Sequence, residues 1–235
     1  MLRKDKRSLV FSLLLGDGNL HIMREKYALL SIDHGMQQAD YQAWKAQLLS
    51  AIFEKEVRVR SGHKGKSVQV QICDNRMRAW KTWIYPNNHK DITKILPFLR
   101  QPELAVAIWL MDDGYVEPSL DKRYPDKVYS ARFRIFTCDQ TEEVQQKIVE
   151  WFDVNFGYKL KIKHFTRSKD GKTYPFLKFT CEDSLRLWEV IRVFVLQFKS
   201  MQYKFRYIEH LYQFRVIQRQ PGRYKLPDDI VQNSE

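Results

Sequence analysis

The sequence predicts an α+β fold built twice, as two halves related by a pseudo-twofold, each reading helix–hairpin–helix–hairpin–helix. Two observations carry this. The apolar run "LVFSLLLGDGNL" (9–20) recurs as "AVAIWLMDDGYV" (105–116), so that Asp17 and Asp113 stand 96 positions apart at equivalent places. The pattern that follows each run is also the same, strand signals alternating with helical ones. A hydrophobic content of 44% over 235 residues is that of a globular chain with a real core.

In the first half (1–96), "NLHI" and "KYALLSID" form the first hairpin. "DYQAWKAQLLSAIF" is a helix that places Tyr41, Trp44, Leu48 and Ile52 on one face. "EVRVR", the turn "SGHKGK" and "SVQVQIC" alternate strictly and form the second hairpin, with Val57 and Val59 inward. A further helix covers roughly 74–85. The connection "PNNHKDITKILPFLRQP" leads to Pro102, well placed in the first turn of the second apolar helix.

In the second half (97–217), "ARFRIFT" is a strand. "TEEVQQKIVEWFDVNF" is a helix with Val144, Ile148, Trp151 and Phe152 inward and Thr141 as its N-cap. "KLKIKHFTR", "SKDGK" and "TYPFLKFT" make a hairpin, and "EDSLRLWEVIRVFVLQF" the next helix. The polar tail (218–235) is expected to be loosely held.

Forty Lys and Arg against 28 Asp and Glu give a net charge of +12, which points to a polyanionic partner, nucleic acid first. Cys73, Cys138 and Cys181 lie far apart with no CxxC pair, which argues against a zinc site or a disulfide framework and fits a reducing compartment. The basic start followed by a short apolar run resembles a signal peptide. However, Asp17 ends the run without a small-residue cleavage site, and the pattern recurs mid-chain. No apolar stretch approaches the roughly 18 residues of a membrane span.

One Asp-Gly after a helix is an ordinary cap and turn. Two at equivalent places in duplicated halves are different. Ser12 and Gly16 in one helix, Ala105 and Ala107 in the other, are small enough for close approach. The helices would then deliver Asp17 and Asp113 side by side at the negative ends of two dipoles. A hard divalent cation, Mg²⁺ above all, relieves that repulsion. Paired carboxylates for Mg²⁺ in a basic protein suggest phosphodiester hydrolysis.

Residues 10–18 ("VFSLLLGDG") and 106–114 ("VAIWLMDDG") resemble the paired motifs of the LAGLIDADG homing endonucleases in their single-chain form, and the resemblance spans about residues 8–207. Leu15, Trp109 and Met111 depart from the consensus at packing positions. The resemblance implies two αββαββα halves, motif helices at the interface, and two saddle-shaped antiparallel sheets over double-stranded DNA. It implies a monomer that leaves cohesive ends. Asp17 and Asp113 would bind the metal, with the backbone carbonyls of Gly16 and Asp112 nearby. Mg²⁺ is the expected ion, with Mn²⁺ substituting and Ca²⁺ binding without cleavage. Lys90 and Lys204 match the lysines that polarise the water network or stabilise the phosphate.

Antiparallel sheets have one open face. Arg58, Arg60, Gln69 and Gln71 in the first half, and Arg132, Arg134, Lys159, Lys161 and Lys163 in the second, alternate with apolar residues and are expected on that face. His21 and Arg24 of the first hairpin join them. Arg and Gln suit guanine and adenine edges. Lys169, Lys172 and the loop "DKRYPDK" (121–127) are expected on phosphates. Because the halves differ in these side chains, the expected target is long and only loosely palindromic. Two alternatives share the fold, an intron RNA maturase and a DNA-binding regulator without cleavage. Binding alone does not require two acids that repel, which favours the nuclease.

Overall fold

A helix that is apolar all round must be covered on every side. Both motif helices are so over their C-terminal two turns, the first after a charged opening turn. In the computed structural model, which describes residues 3–23, 26–62, 65–120, 127–138, 140–169, 171–217 and 224–225, α1 (Lys4–Leu15) buries Ser8 and residues 10–15, and the motif helix of the second half (Pro102–Asp113) buries residues 105–111. The two pack against each other at the centre of the molecule. Ala105, Ala107 and Ser12 are all buried there, as the small-residue pattern predicts.

Each motif helix feeds an antiparallel sheet with four main strands, to which the second half adds a short fifth. In the first half β1 (Asn19–Met23), β2 (Tyr27–Gly35), β3 (Val59–Ser61) and β4 (Ser67–Asp74) lie in the order β1-β2-β4-β3. Between the hairpins run α2 (Ala39–Phe53) and, after β4, α3 (Arg78–Ile84). Three 3-10 turns (Pro86–Asn88, Ile92–Lys94, Leu96–Phe98) cross to the second motif helix, α4, with Pro102 in its first turn. Here β5 (Gly114–Leu120), β6 (Lys127–Phe136), β7 (Lys161–Thr166) and β8 (Thr173–Lys178) repeat the order as β5-β6-β8-β7. The helices are α5 (Glu142–Phe156), capped by the Thr141 hydroxyl, α6 (Cys181–Val195) and α7 (Gln202–Tyr212).

The bend from helix to strand has the same cause in both halves. A Cβ on Gly18 would lie 2.3 Å from the carbonyl oxygen of Leu13, and one on Gly114 would lie 2.3 Å from that of Leu110. The chain can fold back on its own helix only where there is no side chain.

The structure corrects several expectations. In α2 the buried set is Tyr41, Gln42, Lys45, Ala46, Leu49, Ile52 and Phe53, while Trp44 and Leu48 are half-buried. The inner face is turned toward Lys45 because that ammonium has a buried partner, described below. Trp151 and Val144 in α5 are likewise half-buried. Val59 is exposed, since β3 is a three-residue edge strand with too little cover, and Arg58 lies just before it. The polar tail lies outside the described residues except for β9 (Tyr224–Lys225), which pairs with Lys127 and Val128 at the start of β6.

Candidate metal centre at the ends of the motif helices

Neither motif helix carries a basic residue in its own last turn, so each would end with unpaired carbonyls at a negative dipole end. Lysines from elsewhere reach both ends. Lys90 Nζ, on the crossing segment, donates to the carbonyls of Leu14 (3.2 Å), Gly16 (2.8 Å) and Gly18 (2.9 Å). Lys204 Nζ, in the first turn of α7, donates to those of Met111 (2.6 Å) and Asp112 (3.0 Å). The two lysines singled out from the sequence thus occupy matching positions as C-terminal caps supplied by side chains.

Asp112 points between the helices. Its side chain is fully buried, with Lys45 Nζ at 2.7 and 3.0 Å from its two oxygens. The Tyr41 hydroxyl donates to it at 3.0 Å, and the Asp17 backbone N–H at 3.2 Å. With every face of the carboxylate taken, Asp112 offers a metal its main-chain carbonyl rather than its side chain. Burial opposes its charge, but Lys45 and the hydrogen bonds around it hold its pKa below the usual value. Gly16 makes the room, for a Cβ there would lie 2.5 Å from both Cβ and Oδ2 of Asp112.

His34, at the end of β2, completes the cluster. Its Nε2 lies 2.8 Å from Lys45 Nζ and its Nδ1 lies 3.4 Å from Asp17 Oδ2. Asp17, His34 and Asp112 are close enough for one atom of each to face a common ion, although Lys45 already satisfies Asp112. Sequence reasoning missed His34 and Lys45 and took Tyr41 as plain core. The one local signal was Lys45 itself, a charge four residues after Tyr41 on a helix face otherwise apolar.

Asp17 and Asp113 line one cavity of ≈ 260 Å³ together with Gly16, Lys90, Thr137 and Gln140. Burial first, then the charge of Asp112, pushes Asp17 up to about 6. Burial first, then repulsion from Asp17 and Asp112, pushes Asp113 up to about 7. Lys90 and Lys204 pull the other way on both acids without cancelling the rise. These two carboxylates therefore keep an unmet demand for positive charge, and their donors are hard oxygens.

A family profile described as LAGLIDADG DNA endonuclease matches residues 7–187. The chain belongs to that family. Among solved structures it is similar to the homing endonuclease I-WcaI bound to its DNA recognition sequence, with a TM-score of 0.61, 18% identity and 87% of each chain covered. It is also similar to I-DmoI in complex with DNA and Mn, with a TM-score of 0.54, 14% identity, and 80% of this chain and 96% of that one covered. Among curated proteins it is 25% identical over 199 residues to the protein RecA of Mycolicibacterium flavescens, covering 83% of this chain. The chain spans about half the length of the curated relatives it matches, 45% in that case.

In this LAGLIDADG protein the side chains expected to read DNA are unevenly available. Gln69 and Gln71 alternate with buried Val68, Val70 and Ile72, and His21, Arg60, Lys159, Lys161, Lys163, Lys169 and Lys172 are exposed. Arg58 is exposed but ion-paired with Glu56 at 2.6 Å. Arg134 is not free: it pairs with Glu117, which also holds Lys178 at 2.5 Å. Arg132 donates to the Ser119 hydroxyl at 2.9 Å. An acid and a hydroxyl on the neighbouring strand, each diagonal to its arginine because Arg134 stands opposite Tyr115 and Arg132 opposite Glu117, claim these two side chains, which the alternation pattern alone does not reveal. Arg24 and residues 121–126 lie outside the described residues.

Proposed function

We propose that the protein hydrolyses both strands of one long, asymmetric double-stranded DNA site, acting as a monomer with a divalent cation held by Asp17 and Asp113. The observation that carries this reading is the pair of acids at the ends of two packed motif helices, lining one cavity and still short of positive charge. The donor set suits Mg²⁺, with Mn²⁺ as a substitute and Ca²⁺ as an ion that binds without cleavage. When bound, such an ion lowers the pKa of water and stabilises the leaving oxygen.

The chain's own residues do the rest. Asp17 and Asp113 hold the ion and fix where it sits. The carbonyls of Gly16 and Asp112 stand beside them, each with a lone pair beyond the one its lysine uses. Lys90 spends its donors on three carbonyls, so its contribution is positional and electrostatic. It pins the end of α1 and, with Lys204 at the other end, supplies a positive field for the phosphate and for the ionised acids. The open sheet faces, with Gln69, Gln71 and the lysines of β7, hold the duplex along its length.

The test is a cleavage selection on a randomised duplex library in Mg²⁺, run beside Ca²⁺ and EDTA. One long cut family in Mg²⁺ alone is the expected result, and Asp113→Asn is expected to bind the selected site without cutting it. Binding with no cutting in any metal would overturn the nuclease reading, and a cutting Asp113→Asn protein would overturn the metal assignment.

A further inference from the structure

The duplication is not symmetric at its chemical centre. Asn19 and Tyr115 occupy equivalent positions, Asn19 opposite Ser31 and Tyr115 opposite Arg134. Three residues further along β2 and β6, His34 therefore corresponds to Thr137. The helices α2 and α5 are both 15 residues long, and matching their first residues sets Tyr41 against Val144 and Lys45 against Ile148. Gly16 corresponds to Asp112. One side of the motif pair thus carries Asp112, Lys45, Tyr41 and His34. The other carries Gly16, Ile148, Val144 and Thr137. On the first side the space is filled by the Asp112 carboxylate and its partners. On the second, Gly16 and Thr137 line the open cavity instead, and the buried Thr137 hydroxyl has no hydrogen-bond partner among the described residues.

The filled side determines the state of His34. An ammonium has three donors and no acceptor. With Lys45 Nζ 2.8 Å from His34 Nε2, that nitrogen must present its lone pair. The proton then sits on Nδ1, which faces Asp17 Oδ2 at 3.4 Å. The Asp17 backbone N–H is held as well, by Asp112 Oδ2 at 3.2 Å. Asp17 is therefore held at its main chain and has the His34 ring against one carboxylate oxygen at 3.4 Å, beside Gln38, the imidazole's other side-chain partner, which leaves the second oxygen for a ligand. Among the described residues, no hydrogen bond or ion pair holds the Asp113 carboxylate.

We propose that Lys45, Asp112 and His34 form a positioning relay for the Asp17 carboxylate alone, so that the two strands are cut by centres of unequal construction and loss of the relay turns the protein toward a nickase. This rests on the nuclease reading above. Lys45 sets the imidazole tautomer, His34 orients Asp17, and neither residue touches the substrate. Outer partners that orient a metal-binding carboxylate or imidazole commonly matter about 10- to 100-fold.

The experiment is a strand-resolved assay on the selected site, each strand labelled separately, with rates measured for wild type, His34→Phe, His34→Gln and the charge-neutral pair Lys45→Met/Asp112→Asn. His34→Phe is expected to slow one strand about 10- to 100-fold more than the other. The pair variant should slow the same strand, and His34→Gln, whose amide can both accept and donate, should recover most of the loss. Ile148→Val, the matching site in the other half, should leave the strand ratio at its wild-type value. Both strands slowing by a common factor, or an unchanged ratio in His34→Phe and in the pair variant, would overturn the relay. A wild-type protein that binds the site and cuts neither strand would instead overturn the nuclease reading, and the relay with it.

Discussion

Lys45 and Asp112, one from each half of the duplication, form an ion pair of 2.7 Å in which both side chains are fully buried. Such a pair is weak evidence for net stability, but breaking it from one side is costly because a charge stays behind without its partner. Lys45→Met is therefore expected to lower unfolding stability by about 3–5 kcal/mol in urea titrations. Lys45→Met with Asp112→Asn should recover a large part of that. If the single and double variants are equally unstable, the two residues are not coupled.

The acids give the metal-free protein a pH dependence of definite sign. Asp113 rises from 3.8 to about 7 and Asp17 from 3.8 to about 6, burial being the first cause for each. A raised carboxylate contributes stability in full below its unfolded value and loses it as pH climbs through the folded one. His34 runs oppositely. Burial and then Lys45 lower it from 6.5 to about 4, so its contribution is full above 6.5 and is lost as pH falls toward 4. In EDTA, Asp113→Asn should raise the melting temperature most at pH 8, by less at pH 5, and little once the pH is below the unfolded value of 3.8. An Asp113→Asn protein that melts with wild type at pH 8 would contradict the strain assigned to that acid.

Divalent ions should act on the same acids. Ca²⁺ binds ionised carboxylates, so it should stabilise wild type more at pH 8 than at pH 5, and should stabilise Asp113→Asn less at either pH. Thermal melts across a Ca²⁺ series decide this. Equal shifts for both proteins would place the ion elsewhere.

Gly16 and Gly18 are both intolerant, for different reasons. A methyl at Gly16 meets the Asp112 side chain, and one at Gly18 meets the Leu13 carbonyl. Gly16→Ala should cost about 1–3 kcal/mol, as overpacking does. Gly18→Ala should cost more, because the obstacle is backbone and cannot rotate away. Melting temperatures in the reverse order would refute this account.

On the sheet faces the prediction separates two kinds of contact. Gln71→Ala should relax preference at one base pair, worth about 1–3 kcal/mol of discrimination. Lys161→Gln or Lys163→Gln should weaken binding to all sequences alike and reduce the slope of log K against log[salt] by about 1 each. Filter binding on the selected site and its single-base variants distinguishes them, and a salt-independent affinity would count against this face.

Much of the fold was legible because its signals are local. The Asp-Gly repeat, the alternation of β4 and the Thr141 cap each lie within a few residues of what they specify. Lys90 and Lys204 were legible only through their match to the family motif, since their partners lie 72 to 93 positions away. The pairing of Arg134 was not legible because its partner, Glu117, sits on the neighbouring strand, and Val59 was misread because alternation says nothing about how much cover an edge strand has.

Periodicity and turn chemistry mark a duplicated α+β chain with an acid at the end of each apolar helix, because both are properties of short segments. The difference between the two ends arises only when the halves pack together. Lys45, a charge on a mostly apolar helix face, and His34, a strand-end histidine, have no partner within their own segments; the crossing of α1 and α4 brings the buried Asp112 beside them. A charge deprived of water then selects its partners by proximity in space rather than along the chain.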